Sequence, residues 1–169
     1  MEPIQACVVT VSDKGVAGER EDTSGPLLAR LLRDMGAEVV RQLIVPDEQT
    51  EIERALKTLA DERMADLVIT TGGTGPAPRD VTPEATLAVI EREMPGLAEA
   101  LRWEGYRHTQ LAVISRGVAG IRGHTLIINL PGNPKAVYEG METLRPILPH
   151  TIKMMRGVDT EHNEGLSHA

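Results

Sequence analysis

The sequence predicts a single α/β domain built on a mostly parallel sheet with helices on both faces. Three observations predict it. Short apolar runs rich in β-branched residues alternate with segments whose leucines recur at helical spacing. Most of the runs are nearly continuous in apolar residues, as strands buried on both faces are. Each run is followed by a loop of Gly, Ser, Asp, Asn or Pro, and strands alternating with helices in this way imply a parallel sheet.

The elements follow in order. IQACVVTV at 4–11 is a first strand, and a polar loop, SDKGVAGERED, follows it. Leu27, Leu28, Leu31, Leu32 and Met35 mark a helix that Gly36 ends as a C-cap. EVVRQLIV at 38–45 is a second strand, stopped by Pro46 and Asp47. Ile52, Ala55, Leu56, Leu59 and Met64 mark the next helix, and DLVITT at 66–71 is a third strand. After the loop GGTGPAPRDVTP a helix starts with Thr82 as N-cap and Pro83 at its first position. Met94-Pro95-Gly96 breaks it, and a further helix runs to about Gly105. LAVI at 111–114 and TLIINL at 125–130 are two more strands, separated by the loop SRGVAGIRG. A last helical region runs from Asn133-Pro134 to about Gly157, interrupted at Pro146 and Pro149. The domain is expected over 1–157, and 158–169 is a polar tail.

Composition narrows the function. The 169 residues suffice for a real core. Aromatics are 2% and phenylalanine is absent, so stacking platforms for single-stranded nucleic acid are few. The formal charge of −7 also argues against a phosphate backbone as partner. The single cysteine, Cys7, lies in an apolar run and reads as a buried thiol. Neither a secretory leader nor an apolar span of membrane length is recognisable, so a cytoplasmic protein is expected. The five histidines lack ligand spacing, which argues against a structural zinc site.

In open parallel sheets, ligands bind outside the carboxyl ends of the strands, so the strand-end loops carry the information. They are Ser12-Asp13, Pro46-Asp47-Glu48, Gly72-Gly73-Thr74-Gly75 with Arg79-Asp80, Ser115-Arg116-Gly117, and Pro131-Gly132-Asn133-Pro134-Lys135. All five converge on one edge if the sheet is parallel. Three glycines in four residues let backbone approach a ligand closely, and their amides can form an anion nest. A tight turn is the alternative use. Neither a P-loop nor a GxGxxG pattern is present. Asn133-Pro134-Lys135 is a helix start, which caps a helix and also favours an anion. Asp47 and Asp80 either cap helix starts or face the pocket together. In the second case a magnesium ion would bridge them to a phosphate. Arg79 and Arg116 either neutralise a phosphate or are solvated. Met64 and Met94 read as core, and Glu91-Arg92-Glu93 as a solvated face.

TTGGTGPAPRDVTPEAT at 70–86, INLPGNPKAV at 128–137, IVPDEQ at 44–49 and VSDKG at 11–15 together resemble the MogA/MoaB family of molybdenum-cofactor biosynthesis. The first of these is most similar to the family's adenylyltransferase branch. The resemblance implies a doubly wound, molybdopterin-binding fold, usually a trimer. It implies transfer of AMP from Mg-ATP to the terminal phosphate of molybdopterin, with pyrophosphate released and a molybdate-inserting enzyme acting next. The family's functional aspartates fall on Asp47 and Asp80, which would hold the metal and align the attacking phosphate. Gly72, Gly73, Thr74, Gly75 and Ser115 would hold the pterin and its phosphate, with Pro131, Gly132, Asn133 and Lys135 nearby. Ser12, Asp13, Ser24 and Gly25 fall on the nucleotide side. The alternative within the family is a MoaB-like molybdopterin-binding protein or scaffold without adenylylation activity.

Overall fold

The computed structural model describes residues 2–158, so the expected tail lies outside the described residues apart from Val158. The chain runs β1 (Gln5–Val11), α1 (Asp13–Val16), α2 (Ser24–Asp34), β2 (Glu38–Val45), α3 (Gln49–Asp61), β3 (Leu67–Thr71), α4 (Thr82–Val89), β4 (Arg92–Glu93) and α5 (Pro95–His108). A 3-10 helix (Gln110–Ile114) leads to β5 (Ala119–Arg122), β6 (Thr125–Leu130), α6 (Pro134–Leu144) and α7 (Leu148–Met155).

The six strands lie in the order β2-β1-β3-β6-β5-β4. β2, β1, β3 and β6 are parallel, whereas β5 is antiparallel to β6 and β4 to β5. The chain steps from β1 outward to β2, then returns to place β3 on the other side of β1. The strand order therefore reverses between β1 and β3, which is where such sheets open a crevice.

Alternation along the central strands sorts the core into two layers. Val8, Ile69, Leu126 and Ile128 pack beneath α2, α6 and α7 through Leu28, Leu32, Met141, Leu144, Leu148 and Ile152. Val9, Val68 and Ile127 face α3 and α4 through Ile52, Leu56, Leu59, Ala85 and Val89. Cys7 belongs to the second layer, and burial pushes its thiol up to about 11, so it stays protonated.

Several expectations are corrected. LAVI at 111–114 is not a strand. Thr109 accepts the Leu111 amide and starts a 3-10 turn, leaving Leu111 71% and Val113 55% exposed. The missing strand is β5, inside the expected loop SRGVAGIRG. It forms a two-residue hairpin with β6 in which Gly123, at φ 56°, takes the first turn position. The sheet edge β4 falls in the expected solvated stretch and is exposed. Val81, not Thr82, occupies the N-cap of α4. Thr82 is buried in the first turn and donates its hydroxyl to the Gly72 carbonyl at 3.0 Å. The helix after Pro95 continues past Gly105 to His108. The last helical region is two helices, and Pro149 sits in the first turn of α7 rather than breaking it. The Gly36 stop (φ 94°) and the Asn133 cap, which accepts the Lys135 amide at 2.8 Å, are as read from the sequence.

One buried polar side chain ties this frame to the site. Asn129 donates to Thr70 Oγ1 (3.0 Å) and Thr86 Oγ1 (2.9 Å) and accepts the Val118 amide (3.1 Å). It joins β3, β6, α4 and the entry to β5, and is itself buried. Asn129→Ala leaves the Thr70 hydroxyl and the Val118 amide without their partner, while Thr86 keeps its bond to the Thr82 carbonyl, and is expected to cost about 2–3 kcal/mol in urea unfolding.

Candidate active site

The site begins where β1 ends. Ser12 caps α1 by accepting the Gly15 amide at 3.0 Å, which fixes Asp13 at the crevice. Asp13 and Asp47 then hold one another: each carboxylate accepts the other's backbone amide at 2.9 Å. Asp47 is thereby a cross-link between the ends of β1 and β2 rather than the cap of α3, whose N-cap is Glu48. Arg79 forks onto Asp13 with contacts of 2.7–3.0 Å.

The glycine loop after β3 needs its glycines. Gly72 (φ 102°) and Gly73 (φ 69°) lie in the left-handed region, where a side chain is strained. A Cβ on Gly72 would overlap the Val11 carbonyl. One on Gly73 would overlap the Thr82 hydroxyl and lie 3.3 Å from Asp47 Oδ1, and one on Gly75 would lie 2.9 Å from Asp80 Oδ2. The carboxylates of Asp47 and Asp80 therefore both lie against this loop. Asp80 also accepts the Ala77 amide at 3.1 Å, closing its own turn.

Arg116, partly exposed, acts as a strut between loops. Its guanidinium donates to the Gly75 carbonyl (2.9 Å), the Asp80 carbonyl (2.7 Å) and the Glu84 carboxylate. Its backbone amide donates to the Thr74 carbonyl at 2.8 Å. The loop bearing Ser115 is thus fastened to the loop bearing Asp80. Arg102 holds the same loop from α5, donating to the Ser115 carbonyl at 3.3 Å and the Gly117 carbonyl at 2.8 Å. Ser115 reaches the carboxyl edge because β5 runs antiparallel, so its entry lies beside the exits of β3 and β6. Neither arginine's role was visible in the sequence, because their acceptors are mostly backbone carbonyls distant along the chain.

These loops line one elongated pocket of about 1020 Å³. It brings together Ser12, Asp13, Ser24, Asp47, Gly72, Gly73, Thr74, Gly75, Asp80, Ser115, Pro131, Gly132 and Asn133. Two expected residues do not line it. Gly25 lies behind the wall, where its lack of a side chain leaves room for the Thr10–Asp22 hydrogen bond of 2.8 Å. Lys135 projects to solvent, 75% exposed, with Nζ 3.9 Å from Glu139. The far end of the pocket lies between α5 and α6 and includes Glu139, which the sequence reading passed over.

The electrostatics are uneven. Burial first, then the nearby Asp13 and Asp80 carboxylates, raise the Asp47 carboxyl above its usual range, against the lowering pull of the Asp13 amide and Arg79. The Arg79 fork holds Asp13 below its usual range. Among the described residues, no group of three or more His, Cys, Asp or Glu side chains could hold a metal ion by itself.

A parallel sheet with a switch point, glycine-built strand ends and carboxylates at one edge defines an α/β domain that binds a small ligand in its strand-end crevice. Comparison with known proteins places it further. The chain belongs to the family described as the probable molybdopterin binding domain, which it matches over residues 7–150. It is 40% identical over 166 residues to the molybdopterin adenylyltransferase of Helicobacter pylori strain J99, covering 97% of this chain and 94% of that protein. It is 44% identical over 156 residues to the molybdenum cofactor synthesis protein cinnamon of Drosophila melanogaster. That match covers 92% of this chain but only 26% of the longer protein. The crystal structure of the molybdopterin biosynthesis enzyme MoaB of Thermus thermophilus superposes with a TM-score of 0.86 at 48% identity. It covers 91% of this chain and 97% of that one.

Two outcomes follow from the geometry. The folded chain favours protonated Asp47, so this group's own contribution to stability is fully present below the unfolded carboxylate pKa and is lost as pH rises through the window up to the raised folded value. Asp47→Asn is therefore expected to melt higher than the wild type at neutral pH without ligand, with the gain shrinking toward pH about 4. Thermal melts across that range check it. Arg116→Ala is expected to speed amide hydrogen exchange across 74–80 by roughly tenfold or more, with the β1 and β3 amides unchanged.

Proposed function

We propose that this chain is a molybdopterin adenylyltransferase. The observation that carries the reading is the pair Asp47 and Asp80 facing one glycine loop inside a single long pocket. The 40% identity to an enzyme of that name over nearly both full lengths supports it. In the proposed reaction an oxygen of the molybdopterin terminal phosphate attacks the α-phosphorus of ATP. The new phosphoanhydride bond forms as the bond from the α-phosphorus to the α,β-bridging oxygen breaks, and pyrophosphate leaves with that electron pair. Little covalent work falls to the protein, so alignment and charge compensation supply the rate.

The residues suit magnesium bound with ATP. Asp47 and Asp80 offer carboxylate oxygens beside the loop, and Asp47 is raised in part by its acidic neighbours, which is where a cation is favoured. The ion would be held by one or two carboxylates plus phosphate oxygens, its usual surroundings. It would neutralise charge on the reacting phosphates. The protein's own part is to hold Asp47 through the Asp13 amide and Asp80 through the Ala77 amide. Thr74, Ser115 and the Asn133 helix start would receive the molybdopterin phosphate. Ser12 and Asp13 would act on the nucleotide side through the backbone they fix, and Ser24 by donating to the Gly132 carbonyl at 2.5 Å. Lys14 and Arg20, exposed at the rim, would meet phosphate charge.

The same reading carries a cytoplasmic homotrimer that passes its product to a molybdate-inserting enzyme. Exposed Trp103, Tyr106, Leu111 and Tyr138 give a surface for association, and no described helix is long and apolar enough to cross a membrane. The second reading is a MoaB-like molybdopterin binder that does not adenylylate.

Incubation with molybdopterin, ATP and magnesium separates the two. Magnesium-dependent pyrophosphate and an AMP-bearing pterin by mass support the enzyme, whereas pterin binding without pyrophosphate supports the binder. Asp80→Asn is expected to keep molybdopterin binding and lose two or more decades of turnover, on the order of 3 kcal/mol of transition-state stabilisation. Unchanged turnover in that variant removes Asp80 from its role.

A further inference from the structure

One side chain outside the pocket joins two of its walls. Ser115 and Gly117 line the cavity, as do Thr74, Gly75 and Asp80, but Arg116 is not among the lining residues. Its three guanidinium nitrogens each go to a different point on the segment that carries Asp80. Nε donates to the Gly75 carbonyl at 2.9 Å, Nη2 to the Asp80 carbonyl at 2.7 Å and Nη1 to the Glu84 carboxylate. The Arg116 amide adds a bond to the Thr74 carbonyl at 2.8 Å.

Asp80 depends on this grip for its place. Its amide donates to the Ala77 carbonyl at 2.9 Å, and its carboxylate accepts the Ala77 amide at 3.1 Å. Those two bonds close the turn over 77–80 without deciding where the turn sits. Two side chains tie it to its surroundings. Arg79 reaches out from it to Asp13 at the surface, and Arg116 reaches in to the Asp80 main chain. Glu84 sets the guanidinium from the first turn of α4. Arg116 beside it holds the Glu84 carboxyl below its usual range, so the pair is charged at neutral pH. On the other side Arg102 donates to the Ser115 and Gly117 carbonyls, which clamps both neighbours of Arg116 to α5. A shift at Ser115 is therefore carried into the guanidinium and on to Asp80.

We propose that Arg116 is a positioning residue that couples two parts of the pocket: the phosphate of molybdopterin, received at Ser115, sets the Asp80 carboxylate for the transfer, and Glu84 keeps the guanidinium in the orientation this needs. The assignment rests on the adenylyltransferase reading above and adds how occupancy beside Ser115 is felt at Asp80. Arg116 touches neither ligand and acts through the Asp80 backbone alone. Its worth lies in alignment, where a misplacement of about 1 Å costs on the order of a hundredfold in rate. The planar fork matters as much as the charge. A lysine brings one ammonium to acceptors spread over Gly75, Asp80 and Glu84, and cannot hold all three in one geometry.

Turnover and hydrogen exchange test the coupling separately. Arg116→Ala is expected to lower kcat by on the order of tenfold to a hundredfold, with KM for molybdopterin and for ATP each changed by less than about threefold. In an Asp80→Asn background the same substitution is expected to cost less than about twofold, because the group it positions is already impaired. Losses that multiply instead mark Arg116 as merely structural and overturn the assignment. Glu84→Gln is expected to fall between the wild type and Arg116→Ala. Arg116→Lys is expected to behave like the Ala variant, and wild-type kcat in it overturns the role of the fork. Exchange is followed with molybdopterin alone, without ATP, and binding is checked by equilibrium dialysis. Molybdopterin is expected to slow exchange of the Ala77 and Asp80 amides in the wild type by about fivefold or more, and to leave them unchanged in Arg116→Ala and Arg116→Lys that still bind it. No slowing in the wild type, or equal slowing in the variants, overturns the coupling. Slowing confined to the wild type, in a chain that releases no pyrophosphate, upholds the coupling and overturns the adenylyltransferase reading alone.

Discussion

At the carboxyl edge of β1, β3 and β6 the chain approaches itself more closely than side chains allow. A Cβ on Gly72 would strike the Val11 carbonyl, and one on Gly132 would sit 3.2 Å from Gly72 Cα. A Cβ on Gly73 would strike the Thr82 hydroxyl, whose hydrogen bond to the Gly72 carbonyl closes the contact from the α4 side. Three strand ends and a helix start thus meet backbone to backbone, at the point where the sheet reverses its strand order. The rest of the site depends on this knot. Asp47 enters from β2 and Asp80 from the loop before α4, and each carboxylate lies over one of its glycines. Any side chain at Gly72 or Gly73 would carry the cost of a positive φ and would also part the strands that position both acids.

The electrostatic design has the character of a site kept at some expense to stability. Asp47 is half-buried among acids, and its raised pKa means that the ionised form opposes folding. Asp13 carries the compensation, since Arg79 forks onto it and its own amide supports Asp47. The arrangement repels a bare polyphosphate and favours one that arrives with a cation. The −7 formal charge of the chain is therefore no obstacle to a phosphorylated ligand, because the compensating charge comes partly from Arg79 and, in the proposed reaction, partly with the ligand.

Much of this was legible in the sequence, for reasons that can be located. IQACVVTV, DLVITT and TLIINL become β1, β3 and β6 because continuous apolar runs between turn residues have no other good home in a chain this size. The strand-end rule then places Asp47, Asp80 and the GGTG loop at one edge from sequence order alone. LAVI failed because four apolar residues cannot distinguish a strand from an exposed 3-10 turn, and Thr109 decided for the turn. All of β5 lay inside the stretch SRGVAGIRG, read as loop, and its turn begins at that stretch's last residue, Gly123. Ser115 was nevertheless assigned to the correct edge, since an antiparallel strand enters where its parallel neighbours leave. Arg116 and Asn129 were not legible at all. Their meaning comes from partners 11 to 59 residues away for Asn129 and 32 to 41 away for Arg116.

The shape of the pocket bears on how the proposed transfer would proceed. Its 1020 Å³ lies at the top of the range for single small-molecule sites, about 300–1,000 Å³, and its two ends differ in chemistry. Such a space suits two ligands held together better than one ligand held in turn. A covalent enzyme intermediate would need an activated nucleophile, and several of the hydroxyls at the edge are committed elsewhere. Ser12 accepts a helix amide, while Ser24, Thr71 and Thr82 donate to backbone carbonyls. Thr10 does donate to a carboxylate, Asp22, but it is buried, and the Gly25 amide binds the same carboxylate. None of these hydroxyls has the base and orienting partner that nucleophilic catalysis requires. Direct transfer between two bound phosphates asks only for alignment and charge compensation. Those are what the glycine knot, the Asp13–Asp47 cross-link and the Arg116 strut supply.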